Sequence, residues 1–133
     1  MIEQGLAKLV QSNPAVAAIA QNGGFLQMLP KDFPLPSWTQ QLIVENTYYS
    51  LTSVTGVRKR RIQIDCYAVD ADGVVALADA IDLVLSGYHG TLSDLDNTVV
   101  QGVFQNNAID FFDAASRTYR RVLDYDVWFN QGK

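Results

Sequence analysis

The sequence predicts an α+β fold, in which a mostly antiparallel sheet packs on one long helix and short helices precede it at the N-terminus. Residues 60–69, RRIQIDCYAV, alternate apolar and polar side chains as a half-buried strand does. Further on, Val74, Leu77, Ala78, Ile81, Val84 and Leu85 recur at the spacing of one helix face. The other strand-like runs fall on both sides of that helix, an order that suits strands folded back against a single helical layer. At 133 residues, with no internal repeat, low-complexity tract or linker, the chain reads as one domain over residues 1–133.

Ile2, Leu6, Leu9 and Val10 make an apolar stripe on a first helix, about residues 2–11. Asn13 caps and Pro14 opens a second short helix, PAVAAIA, because proline tolerates the first helical position and asparagine accepts orphan amide bonds there. The glycines of NGG at 22–24 end it. A segment FLQML, a link containing Pro30, Pro34 and Pro36, and an extended run WTQQLIVENTYYSLT follow. In the strand that begins with Arg60 and Arg61, the even positions Ile62, Ile64, Cys66 and Ala68 face the core. Arg61, Gln63, Asp65 and Tyr67 face away. Asp70 caps the long helix and Gly87 sits where a C-terminal cap belongs. YHGTL, TVVQGVFQ and RTYRRVLDYDVWFN read as three more strands, with a turn at SDLDN, whereas NNAIDFFDAAS has no assignable period.

The net charge of −4 argues against wholesale phosphate binding, so any contact with DNA would be local. Cys66 is the only cysteine, which excludes an intramolecular disulfide and suits a reducing compartment. The opening MIEQGLAKLV lacks the basic start of a signal peptide, and no run approaches eighteen apolar residues, so the expectation is a soluble cytoplasmic product. His89 is the only histidine and lies between glycines, in turn context; a histidine pair for a metal is impossible. No phosphate-cradling glycine motif occurs. Asp70 and Asp72 suit the first turn of a helix, with Asp79 and Asp82 on its outer face. The DADG stretch has a calcium-loop flavour but lacks the glutamate such a loop needs. Asp124 and Asp126 belong to the polar face of a strand. A buried, inert Cys66 is the natural reading of its alternation with Ile62 and Ile64. No cofactor and no metal are expected.

What stands out is cationic. Arg58, Lys59, Arg60 and Arg61 begin one strand and Arg117, Arg120 and Arg121 the last, and together they include every arginine in the chain. One reading is that they keep sheet edges soluble and pair with Asp65, Asp124 or Asp126. The other is that they meet acidic surface on another copy of the chain, head to tail, in contacts that close into a ring when the rotation permits.

The opening MIEQGLAKLVQSNPAVAAI, the strand RKRRIQIDCYA, the helix ADGVVALADAIDLVLSGYHGTL, the strand VQGVFQ and the closing YRRVLDYDVWF, in that order, resemble the tail-completion (tail-terminator) proteins of long-tailed bacteriophages and prophages. The resemblance implies a non-enzymatic virion subunit that assembles as a homo-hexameric ring on the end of the tail tube. Such a ring stops tube polymerisation and offers the surface that joins the head. Its implied partners are itself, the tail-tube protein and the head-completion or connector protein, with DNA only passing through the lumen and no membrane. Its place would be the virion tail, reached by assembly in the host cytoplasm. On this view residues 47–57 with Arg58–Arg61 form a hairpin tip that orders on docking. Two other readings stay open: a small enzyme using Cys66 or His89, and a ligand- or protein-binding module using Tyr48, Tyr49, Tyr67 and Trp128.

Overall fold

The computed structural model describes residues 2–20, 24–26, 35–49, 54–92, 98–115 and 117–130. Helices α1 (Ile2–Ser12) and α2 (Pro14–Ile19) are separated by Asn13, whose Oδ1 accepts from the amides of Ala15 at 3.0 Å and Val16 at 3.4 Å. The break is thus held by a side-chain cap of the kind that asparagine before proline favours. Six strands follow: β1 (Gly24–Leu26), β2 (Ser37–Tyr49), β3 (Val54–Ala68), β4 (Gly90–Thr91), β5 (Val99–Asp113) and β6 (Thr118–Asn130), with α3 (Ala71–Leu85) between β3 and β4. They form one sheet in the order β1-β2-β3-β6-β5-β4, antiparallel throughout except for the parallel β1–β2 pair.

β3 and β6 are the centre of this sheet, and they match rung for rung from Val57 opposite Asn130 to Ala68 opposite Tyr119. Period two puts Ile62, Ile64, Cys66 and Ala68 of β3 on one face with Leu123, Tyr125, Val127 and Phe129 of β6, and all eight are buried. The three helices cover this face. α3 contributes Val74, Leu77, Ala78, Ile81 and Leu85; α1 contributes Leu6 and Val10. Two polar ties fix the layer to the sheet. The indole Nε1 of buried Trp38 donates to Gln11 Oε1 at 3.1 Å, and the Tyr125 hydroxyl donates to Asp82 Oδ1 at 2.8 Å. Asp82 is therefore a core-edge acceptor and not the outward-facing carboxylate its spacing suggests. Burial, followed by the Asp82 bond, pushes the Tyr125 phenol up, so it stays protonated.

The sheet dominates, which corrects the expectation of a sheet packed on one long helix. α3 is 15 residues long, no longer than β3 or β5 at 15 residues each, and it shares the cover with α1 and α2. The difference arises in NNAIDFFD, which continues TVVQGVFQ as a single long strand through Asp113. YHGTL contracts, by contrast, to the two-residue β4. The hairpin tip expected over 47–57 lies partly outside the described residues, at 50–53. Arg58–Arg61 fall inside β3, each opposite a residue of β2 and of β6.

Asp70 caps α3 through Oδ1, which accepts from the Gly73 amide, and the helix ends at Ser86 before Gly87, whose φ of 78° is the left-handed region that glycine enters freely. Asp70→Ala should lower the stability of the chain by about 1 kcal/mol. The check is urea unfolding, where the midpoint falls and the slope does not change.

Candidate functional site

The two cationic groups do not meet. Because β3 and β6 run antiparallel, the beginning of one strand's cationic run lies at the opposite end of the ladder from the other's: Arg61 stands opposite Asp126, and Tyr67 opposite Arg120. Those rungs are about 20 Å apart, at roughly 3.4 Å per residue.

Within each group the alternation of the strands divides the cations between the two faces. Lys59 and Arg61 share the open face with Gln63 and Asp65, whereas Arg58 and Arg60 continue the helix-side row of Ile62 and Ile64. Lys59 Nζ lies 3.8 Å from Asp126 Oδ2 and 5.6 Å from the centre of the Trp128 ring. The same Asp126 oxygen accepts from Asn106 Nδ2 at 3.0 Å. The Arg60 guanidinium lies over the ring of buried Phe129 at 5.4 Å, a cation–π arrangement that holds the cation on apolar surface.

At the other end, Arg120 and Arg121 point to opposite faces. Arg121 Nε and Nη2 donate to the two oxygens of Asp110 on β5, at 2.6 and 3.1 Å, a bidentate fork. The Arg121 hydrogen bond holds the Asp110 carboxyl below its ordinary range and raises Arg121 in turn. Arg120 Nη2 donates to Asp65 Oδ2 at 2.7 Å, and its guanidinium stacks over Phe111 at 5.5 Å and Tyr67 at 6.0 Å. Asp65 is only 1% exposed, although strand alternation puts it on the open face. Gln63 Nε2 at 2.8 Å and the Tyr67 hydroxyl at 3.3 Å complete a set of three donors around this carboxylate. Such a buried acid is tolerable only with its cation and donors in place. Arg117 adopts φ 55° in the turn between β5 and β6, a conformation an arginine enters at some cost.

The chemistry expected of an enzyme does not assemble around the two candidate residues. Cys66 is fully buried, and burial, then the Asp65 charge, push its thiol well above the ordinary range. His89 is exposed in the loop before β4. No cluster of metal-ligating side chains occurs among the described residues, and no described helix is long and apolar enough to cross a membrane. Tyr67 and Trp128 are on the open face but belong to opposite ends of the ladder, and the side chains of Tyr48 and Tyr49 lie outside the described residues.

The surface that sequence reasoning missed is on β5. Past Val100 no strand pairs with the outer side of β5 among the described residues, although the Gly87 amide donates to the Val103 carbonyl there at 2.8 Å, and Phe104, Ile109, Phe111 and Phe112 along it are 57%, 43%, 50% and 52% exposed. Phe111, Phe112 and Tyr119 also wall a cleft of about 260 Å³ against Val74 and Val75 of α3, with Arg120 and Asp110 beside it. The available signal was compositional: from 99 to 113 the strand has no lysine, arginine or proline to guard an edge.

A family model described as Tail completion protein gp17 matches residues 4–130. Among solved structures, a chain of the "Virion of native gene transfer agent (GTA) particle" is similar with a TM-score of 0.73 over 97% of this chain and 94% of that one, at 15% identity, a likeness of fold. No curated protein matches the chain.

Arg120→Met should cost roughly 3 kcal/mol in urea unfolding, because it strands a buried carboxylate. Lys59→Met, at a half-buried pair with a long 3.8 Å separation, should cost less, about 1 kcal/mol. Cys66 should resist a thiol reagent in the native protein at pH 8 and react at once in denaturant; rapid native labelling would contradict its burial and raised pKa.

Proposed function

We infer a role from membership: the chain belongs to the Tail completion protein gp17 family, and we propose that it closes the end of a tail tube as a homo-hexameric ring. It is a structural protein of a phage-type virion tail. The ring stops tube polymerisation and offers the surface on which the head is joined. Its partners are then other copies of itself, the tail-tube protein and the head-completion or connector protein, with DNA passing through the lumen unread.

The observation that carries this reading is the extent of the family match, over residues 4–130, from within α1 to the end of β6. A non-catalytic role agrees with a thiol that is buried and a lone histidine in an exposed loop. Arg58, Lys59, Arg60, Arg61, Arg117, Arg120 and Arg121 are proposed as contact residues, with Asp65 and Asp110 already engaging two of them inside the subunit. Assembly takes place in the host cytoplasm before the head is added.

The test is the mass of the purified protein by size exclusion with light scattering, alone and mixed with tail tubes. A species of six subunits, or one that forms only on tube ends, is the expected result. A monomer that ignores tubes would sink the terminator reading in favour of a binding module.

A further inference from the structure

We propose that the bare edge of β5 is the surface on which a second copy of this chain docks, by continuing the sheet through its own β1. The proposal rests on the ring reading above and adds the contact that builds the ring.

The first support is the edge itself. Soluble monomers blunt long edge strands with lysine, proline or brevity. β5 uses none of these, has only two register shifts, and presents Phe104, Ile109, Phe111 and Phe112 to solvent. The Val103 carbonyl accepts from the Gly87 amide and the Ala108 amide donates to Asn107 Oδ1, but no strand borders the outer side of β5 past Val100 among the described residues, and a strand edge flanked by exposed aromatic side chains is the chemistry of strand addition.

The second support identifies the occupant. Both edges of the sheet are stepped. β1 borders β2 only along Trp38–Gln40, leaving 41–49 without a strand on that side among the described residues, and β4 borders β5 only at Val99 and Val100. Following the rungs across the sheet, Phe25 aligns with Thr39, Asp65, Val122 and Ile109 in turn. Gly90 aligns likewise with Val100, Phe129, Arg58 and Thr47. A second copy placed beside β5 with its helices on the same side therefore brings its β1 level with the bare stretch around Ile109. The first copy's β4 then stands level with the bare stretch of the second copy's β2 around Thr47. Each short strand fills the step that the other edge leaves open. Directions agree as well: β1 runs with β2, opposite to β3, and β5 runs with β3, so the new pair is antiparallel.

The experiment places cysteines at Phe25 and Ile109, with Cys66 kept because it is buried. Assemblies formed alone or on tail tubes are oxidised with copper phenanthroline, quenched, and run on denaturing gels without reductant. Phe25→Cys with Ile109→Cys in one chain should give a ladder that extends beyond the dimer, and neither single variant should cross-link. Independently, Ile109→Lys with Phe111→Lys should leave the circular dichroism spectrum unchanged while reducing ring formation or tube capping at least tenfold. Rings that form without the ladder, or cross-linked dimers from Ile109→Cys alone, would overturn the β5–β1 contact while leaving the terminator reading intact. Capping by the double-lysine variant at the unmodified level would overturn it too. A protein that never assembles, with or without tubes, defeats both.

Discussion

Every other element takes its position from the pairing of β3 with β6. Along this ladder, two rows of side chains from distant parts of the chain meet in register and bury one face against the helices. A slip of one residue would turn Ile62, Ile64, Leu123 and Phe129 to the open face and bring charged neighbours into the core. Each such side chain contributes roughly 1.5–3 kcal/mol on burial, so the register is held by a large sum. β2 and β5 add to the two outer sides of the pair, and α3 can only lie across the face that the apolar rows define. The open face and the outer edge of β5, which no strand borders past Val100 among the described residues, are what remains.

On that open face the structure uses charge where the helix face uses hydrocarbon. Asp65 is as inaccessible as the core residues beside it, yet it is surrounded by an arginine, a tyrosine hydroxyl and a glutamine amide. Removing a carboxylate from water is unfavourable, and the donors restore what hydration would have supplied. The arrangement links β3 to β6 a second time, from the opposite side, through Arg120. It also places the stacked Tyr67, Arg120 and Phe111 against β5. Sheet geometry and side-chain electrostatics thus support the same strand order.

Much of this was legible in the sequence, and for local reasons. Alternation in RRIQIDCYAV is unambiguous because one face is fully buried, and Asn13–Pro14 and Asp70 announce helix starts by capping chemistry that needs no tertiary context. NNAIDFFD was not legible, because an edge strand exposed on both faces has no reason to alternate: Ala108, Ile109, Phe111 and Phe112 show no strand period. The burial of Asp65 was hidden for a different reason. It depends on Arg120, 55 residues away, and no local pattern reports such a partner. The sequence shows two cationic groups, but antiparallel pairing, which sends them to opposite ends of the ladder, is a property of the whole sheet.

The placement of β6 at the centre of the sheet, although it follows α3, β4 and β5 in the chain, has a consequence for the order of events during synthesis. β2 and β3 are joined by a short connection and can pair as soon as both have emerged, since local closure loses little chain entropy. β3 then waits with its other edge uncovered while α3, β4 and β5 are made, and only β6 can cover it. The β3–β6 pairing is therefore non-local, the kind of contact that slows folding. Until β6 arrives, the nascent subunit exposes both the apolar row Ile62–Ile64 and the inner edge of β3. A chaperone that shields strand edges would matter most in that interval, when an unfinished subunit on one ribosome could otherwise pair with its neighbour on the next.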